Sequence, residues 1–375
     1  MGDVYITRIG KYLPNEPVTN NEMEGILGMI KGEPSQARPL VLLQNGIETR
    51  YYVHNKHGEA THNNAQLTAA AIQNLTDENF TLNDIELLCC GTTTPDQLVP
   101  SHAAMVHGLL NNHPMEIVSP HGVCCSGMQA YKYGFMSVKT GDTSNAVCTG
   151  SEASSYGFIA KHFEKEMEEL ENSKQYAVLP FDKEFLRWML SDGAGAFLLE
   201  NHPRGDKSLH VEWIDIISFA NELDVCMSAG YRKQADGRVR NWRSHEVADS
   251  VSLAALRQDI KLLTKNVVRY AAKAGQMVVD RRSLDLAKID YYVPHMSSHY
   301  FVNAMLQTME KSGLRIPKEK WFTNLKSVGN VGSASIYLAL EELFNTRDLQ
   351  KGQQILLVVP ESARFTYAHS LLTVC

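Results

Sequence analysis

The chain has no uninterrupted apolar run of the roughly eighteen residues that a membrane-crossing helix needs, so no membrane partner is expected. Residues 1–10 lack the charged-then-apolar layout of a signal peptide, and Ile6 stands where a myristoylation motif would carry Ser or Thr. Cysteine is present without a framework. The seven residues, at positions 89, 90, 124, 125, 148, 226 and 375, are odd in number and lack metal-ligand spacing. That argues against a disulfide scaffold and a structural zinc site, and it indicates a reduced, cytoplasmic setting. There is no excess of basic charge either, with 36 basic residues against 42 acidic and a net charge of −6, which disfavours a general nucleic-acid binder. No cofactor or metal is expected.

What the sequence does contain is a layered α/β pattern long enough for a large core. Residues 85–91 (IELLCCG) and 145–149 (NAVCT) are continuous apolar runs of strand length, as expected of strands covered on both faces. Further strands are predicted over 4–9, 116–119, 209–220, 289–293, 354–359 and 370–374. Helices are predicted over 61–75, 101–110, 126–139, 251–274, 301–312 and 330–344. The charged stretch 161–174 reads as a solvated helix.

The two halves follow one plan. In the first, Cys125-Ser126-Gly127 opens a helix, and a glycine turn at Gly141 leads to a strand ending Gly150-Ser151-Glu152. In the second, Asn330-Val331-Gly332-Ser333 opens a helix, and a turn at Gly352 leads to a strand ending Pro360-Glu361-Ser362. This predicts an internal duplication, with halves at 1–204 and 205–375 and with Cys125 and Asn330 facing each other across a pseudo-twofold axis.

At the start of a helix, unpaired N–H groups and the positive end of the dipole favour a thiolate, which makes Cys125 a candidate nucleophile and Cys124 its packed neighbour. The alternative is that both are small buried hydrophobes. His295 ends an apolar strand (DYYVPH) and therefore lies at the rim of a sheet, where open α/β folds bind ligands. A Cys, a His and an Asn suit covalent acyl transfer: the thiolate takes the acyl group, while His and Asn donate to a second thioester carbonyl and stabilise its enolate. A cysteine protease uses the same residue types, but there the Asn orients the His, whereas Asn330 follows a glycine and starts its own helix.

Cys125 in VCCSG, His295 in VPH, Asn330 in VGNVGSAS and DGAGA at 192–196 together resemble the thiolase-fold β-ketoacyl-acyl-carrier-protein synthase III family. The resemblance runs through YLPNEPVTNNEME and LNDIELLCCGTTTPDQLVPS and so covers essentially the whole chain. It implies a five-layered αβαβα fold, a homodimer, Cys125 as acyl acceptor with a backbone oxyanion hole, and His295 with Asn330 on the extender thioester. Acyl carrier protein or other acyl thioesters are the implied partners.

Three departures shape the functional expectation. Where the family has a Trp and an Arg that help bind coenzyme A, this chain has LVLLQ, which favours a carrier-bound substrate. The C-terminal glycine-rich loop is replaced by Glu361-Ser362-Ala363-Arg364, leaving the Arg364 amide as a candidate oxyanion donor. Val99 replaces an aromatic residue before Pro100, which suggests a roomier acyl pocket. Glu152 ends a strand near the cleft and is either a capping or ion-paired residue or a general base for a second ring-closing step. In that step the chain would be similar to the ketosynthase/cyclases of dialkylresorcinol and stilbene biosynthesis. A fatty-acid-initiating synthase, an acyltransferase without condensation and a non-catalytic ketosynthase partner are the alternatives. Docking of an acidic carrier requires basic residues, and two clusters are candidates: Arg232, Lys233, Arg238, Arg240 and Arg243, and Lys311, Arg315, Lys318 and Lys320.

Overall fold

The structure is a computed structural model that describes residues 2–172, 179, 181–205, 207–233, 239–241 and 254–375. Nine strands form one mixed sheet: β1 (Tyr5–Tyr12), β2 (Leu87–Thr92), β3 (Glu116–Val118), β4 (Asn145–Glu152), β5 (Gly193–Glu200), β6 (Leu209–Ser218), β7 (Ile289–Pro294), β8 (Gln354–Glu361) and β9 (Thr366–Val374). Their order is β7-β8-β9-β6-β1-β5-β4-β2-β3.

This order contains its own repeat. In the first half β2 pairs parallel with β4, β4 antiparallel with β5, and β5 antiparallel with β1. In the second half β7 pairs parallel with β8, β8 antiparallel with β9, and β9 antiparallel with β6. The place of β3 at the first edge is taken at the other edge by a single parallel bridge between Tyr292 and Trp321. The two half-sheets join where β1 meets β6.

Helices fill the remaining layers. α1 (Asn64–Gln73) and α2 (His102–Leu110) cover the outer face of the first half-sheet, and α4 (Ile260–Arg282) and α5 (Val302–Lys311) cover that of the second. Between the half-sheets lie α3 (Cys125–Thr140) and α6 (Ser335–Thr346). Every residue of β2, β4 and β5 is buried, which is why their sequences lack a polar alternation.

Glycine lets the central layer come close. A Cβ at Gly150 would lie 2.3 Å from the Ser333 carbonyl oxygen, and one at Gly127 would lie 2.4 Å from the same atom. Tyr337 locks the contact: its ring stacks on Phe197 with centroids 4.1 Å apart, and its hydroxyl donates to the Gly127 carbonyl at 2.7 Å.

Two expected boundaries move. The helix predicted over 251–274 is observed as α4; residues 251–253 lie outside the described residues, Asp259 caps the N-terminus by accepting the Leu262 N–H at 2.9 Å, and the helix passes Gly275 to end at Ser283. Burial of the α4 face on the sheet outweighs the cost of an interior glycine, about 1 kcal/mol relative to alanine. The helix predicted from residue 330 starts later, because a short 3₁₀ turn (Gly332–Ala334) precedes α6. The stretch expected as a solvated helix over 161–174 is helical over Glu164–Asn172, with Ser173 and Lys174 outside the described residues, but it is not wholly solvated: Met167 packs into a core cluster and Glu166 pairs with the buried Lys183.

Candidate active site

Met128, Tyr131, Phe135 and Val138 of α3 enter the packing between the half-sheets, and both Cys124 and Cys125 at the start of the helix join the same core cluster. Cys125 is fully buried, its thiol directed at the carbonyls of Val359 (3.4 Å) and Thr366 (3.5 Å). Cys124, one residue earlier and therefore about 100° around the helix axis, lines a cavity with Glu152, His295 and Asn330. Cys125 is expected from the sequence to meet the substrate, and in this cavity the residue on the wall is Cys124. Burial pushes both thiols well above their ordinary range; for Cys124 the Glu361 and Glu152 carboxylates add to the effect. Burial thus works against the thiolate preference expected at a helix start.

His295 follows β7 directly, and its N–H continues the parallel pairing by donating to the Val358 carbonyl at 2.7 Å. Burial pushes its imidazole down to about 4, so the ring is neutral at pH 7. Both ring nitrogens are buried without a hydrogen-bond partner among the described residues. Buried polar atoms are rarely left without a partner, so the ring nitrogens are open to a water or a ligand in the cavity.

Asn330 is held by its backbone and by one side of its amide. Its carbonyl accepts the Ser191 N–H at 2.9 Å, and its Oδ1 accepts the Gly332 N–H at 3.0 Å. Such a local turn leaves Nδ2 as the donor end toward the cavity. Gly332 has φ +49°, and a Cβ there would come within 2.8 Å of the Glu152 Oε1.

Glu152 is buried at the end of β4, opposite Gly193. Its Oε1 accepts from the Thr93 hydroxyl (2.6 Å) and the Ser333 N–H (3.0 Å), and its Oε2 accepts from the Thr94 hydroxyl (2.9 Å). The Thr93 N–H lies 3.2 Å from both oxygens. Burial raises its pKa, against which these donors work. The carboxylate therefore ties the end of β2 to the segment carrying Asn330 while still lining the cavity.

The cavity holds about 620 Å³ including its open mouth and is completed by apolar side chains such as Val123, Leu263 and Val267, with Pro360 and Ser362 from the end of β8. Thr93 carries no mark in the sequence, and Cys124 is expected there only as the packed neighbour of Cys125. The Arg364 N–H, expected as an oxyanion donor, here donates to the Glu361 Oε1 at 3.3 Å and is committed to its own turn.

Of the expected basic clusters, Arg238 and Arg243 lie outside the described residues. In the other cluster the Lys320 ammonium donates to the Ala287 and Ile289 carbonyls, and Arg315 lies 3.8 Å from Glu310. LVLLQ, in place of the coenzyme A residues, lies within a helix over Arg38–Asn45 whose Leu40 and Leu43 are exposed. Val99 is exposed and joined to Pro100 by a cis peptide bond. Among the described residues, no group of His, Cys, Asp and Glu is arranged to hold a metal ion, and no helix is long and apolar enough to cross a membrane.

Two half-sheets around central helices, with Cys, His and Asn meeting at the helix starts and strand ends, define a thiolase-fold acyl-transferring enzyme. The chain is similar to β-ketoacyl-acyl-carrier-protein synthase III-like condensing enzymes. Residues 279–371 match the family model described as 3-oxoacyl-acyl-carrier-protein (ACP) synthase III, C terminal. The β-ketoacyl-acyl-carrier-protein synthase III of Koribacter versatilis is 24% identical over 371 residues, covering 98% of this chain and 96% of the relative. That of Chlorobaculum tepidum is 22% identical over 353 residues, covering 94% of each. Among solved structures, the tetronic acid condensing enzyme AbyA1 superposes with a TM-score of 0.76 at 19% identity over 98% of this chain and 99% of its own. OleA of Xanthomonas campestris superposes at 0.75 and 18% identity over 99% and 98%.

Proposed function

We propose that the protein joins an acyl group held on Cys124 to a carrier-bound acyl or β-ketoacyl thioester by Claisen-type condensation. The observation that carries this reading is the convergence of the Cys124 thiol, the His295 imidazole, whose nitrogens have no partner among the described residues, and the Asn330 amide on a single cavity. The Cys124 thiol gives its proton to a base, for which the neutral His295 is suited, and the sulfur attacks the incoming thioester carbonyl, expelling the carrier thiol. The second thioester then loses CO2 or a proton, and its enolate oxygen is met by donors from His295 and Asn330. The enolate carbon attacks the acyl-Cys124 carbonyl, the C–S bond breaks, and the thiol is regenerated as the new carbon–carbon bond forms.

A finer reading adds ring closure to a cyclohexanedione, with Glu152 as base. Its support is the position of Glu152 on the cavity wall with a pKa raised by burial. Its four donors favour a positioning role for the carboxylate beside that. Carrier protein as donor, a cytoplasmic setting and a homodimer complete the proposal by resemblance to the family. The test is product analysis by mass spectrometry after incubation with a panel of carrier-bound acyl, malonyl and β-ketoacyl thioesters. A product carrying a new carbon–carbon bond is expected; ester or amide products alone would remove the condensation, and open-chain products alone would remove the ring closure.

A further inference from the structure

We propose that a small monovalent anion of the halide class binds inside the protein between Arg50 and Tyr52 and supplies the counter-charge of the Arg50 guanidinium. Arg50 lies in the short strand Thr49–Arg50, which pairs antiparallel with Val18–Thr19. Burial alternates from Thr49 to Tyr52, so Arg50 and Tyr52 point to the same inner side. Their exposures are 0% and 1%.

A guanidinium keeps its charge in a protein, and a buried charge is normally paired. Arg50 departs from that rule. Its Nη1 donates to the Asn20 Oδ1 at 2.7 Å and meets the Met23 sulfur, while Nε and Nη2 are buried with no partner among the described residues. The carboxylates of this region are engaged elsewhere, Glu24 with Arg38 and Glu184 with the Ser35 hydroxyl and the Trp188 N–H. The charge-bearing neighbour that acts on Arg50 is the Tyr52 phenol, which burial keeps in its O–H form.

The Tyr52 hydroxyl is itself buried without a partner among the described residues. Met23 joins the two groups, since its sulfur touches Arg50 and its side chain packs in the same core cluster as Tyr52. The unmatched groups are thus the N–H bonds of Nε and Nη2 and one O–H, and each is a donor. A water could accept from two of them but would bring two hydrogens of its own among donors. An anion accepts from all of them and cancels the charge, and the lack of exposure restricts it to a single atom.

The site stands behind the wall that carries Asn330. Tyr51 donates its N–H to the Ser191 Oγ at 2.9 Å, and its carbonyl accepts the Asp192 N–H at 2.8 Å. The Ser191 N–H bonds the Asn330 carbonyl in turn, and a Cβ at Gly329 would lie 3.0 Å from the Arg50 Cβ. An anion that fixes Arg50 therefore steadies the strand against which Asn330 rests.

The experiment compares the melting temperature of chloride-free wild-type protein in sodium chloride and in sodium gluconate at one ionic strength. Chloride should raise it saturably, by roughly 1–3 °C for a tenfold increase above the half-saturating concentration, and gluconate should not. Arg50→Met keeps an apolar stem without the charge and should melt alike in both salts. Equal melting of wild type in the two salts, or an unchanged chloride response in Arg50→Met, overturns the proposal. Should Arg50→Met fail to fold, Tyr52→Phe removes one donor and should raise the half-saturating chloride concentration by about tenfold; an unchanged value overturns it. Crystals grown in bromide give the direct reading. An anomalous peak within hydrogen-bond reach of the Arg50 Nε and Nη2 and the Tyr52 hydroxyl is expected, and a water without anomalous signal at that place contradicts the anion.

Discussion

At the scale of single residues, the site sets side chains whose polar atoms are fully engaged beside ones with no partner among the described residues, and Asn330, bonded through Oδ1, stands between them. Glu152 belongs to the first kind, with four donors on its two oxygens. Glu152→Gln replaces one acceptor oxygen with a donor and sets it against N–H and O–H groups that also donate, so it is expected to cost about 1–3 kcal/mol, read by urea unfolding. A stability equal to wild type would mean that the carboxylate does not hold the Thr93, Thr94 and Ser333 segments together. His295 belongs to the second kind, and its type and place at the end of an apolar strand were legible in the sequence. So was the place of Asn330 in the turn before a helix. The choice between the two thiols was not legible, because the dipole argument for a helix start does not distinguish the last residue before the helix from the first residue within it. Their contacts differ, with Cys125 on the Val359 and Thr366 carbonyls and Cys124 on the cavity wall.

At the scale of elements, the central helices approach the sheet only where side chains are missing. Gly127 and Gly150 both abut the Ser333 carbonyl, and Gly91 abuts the Ser126 carbonyl at 2.3 Å from a would-be Cβ. Gly150→Ala must therefore push the Asn330–Ser333 segment off β4. The expected loss is about 1–3 kcal/mol in unfolding, with a fall in condensation larger than the fall in acylation, since Asn330 moves and Cys124 does not. Equal losses in the two half-reactions would contradict that placement. Strand existence was readable from continuous apolar runs, and most helices from their periodicity. The run of α4 through Gly275 was not, because glycine marks a stop in local terms while tertiary burial of the flanking turns keeps the helix going.

At the scale of the whole molecule, the duplicated half-sheets bury titratable groups that couple stability to pH. Burial pushes His102, His295 and His369 each down to about 4. A folded pKa below the unfolded value of about 6.5 means that the unfolded chain binds more protons in that window, so this stabilisation is complete above pH 6.5 and is lost as pH falls toward 4. The buried carboxyls act the other way: Asp192 is pushed up to about 6, and its contribution is lost as pH rises through that value. His369→Leu removes one of the three histidines, so its melting temperature should fall less than that of wild type between pH 6.5 and pH 4; parallel curves would mean that His369 is not held neutral by burial. The duplication itself was visible in the repeated glycine turns, whereas the joining of both halves into one sheet through β1 and β6 depends on pairing between distant segments and left no local mark. The account as a whole turns on which sulfur carries the acyl group. Incubation with an octanoyl thioester, digestion and peptide mapping by mass spectrometry should place the adduct on Cys124, retain it in Cys125→Ala and lose it in Cys124→Ala; an adduct on Cys125, or one that persists in Cys124→Ala, would contradict it.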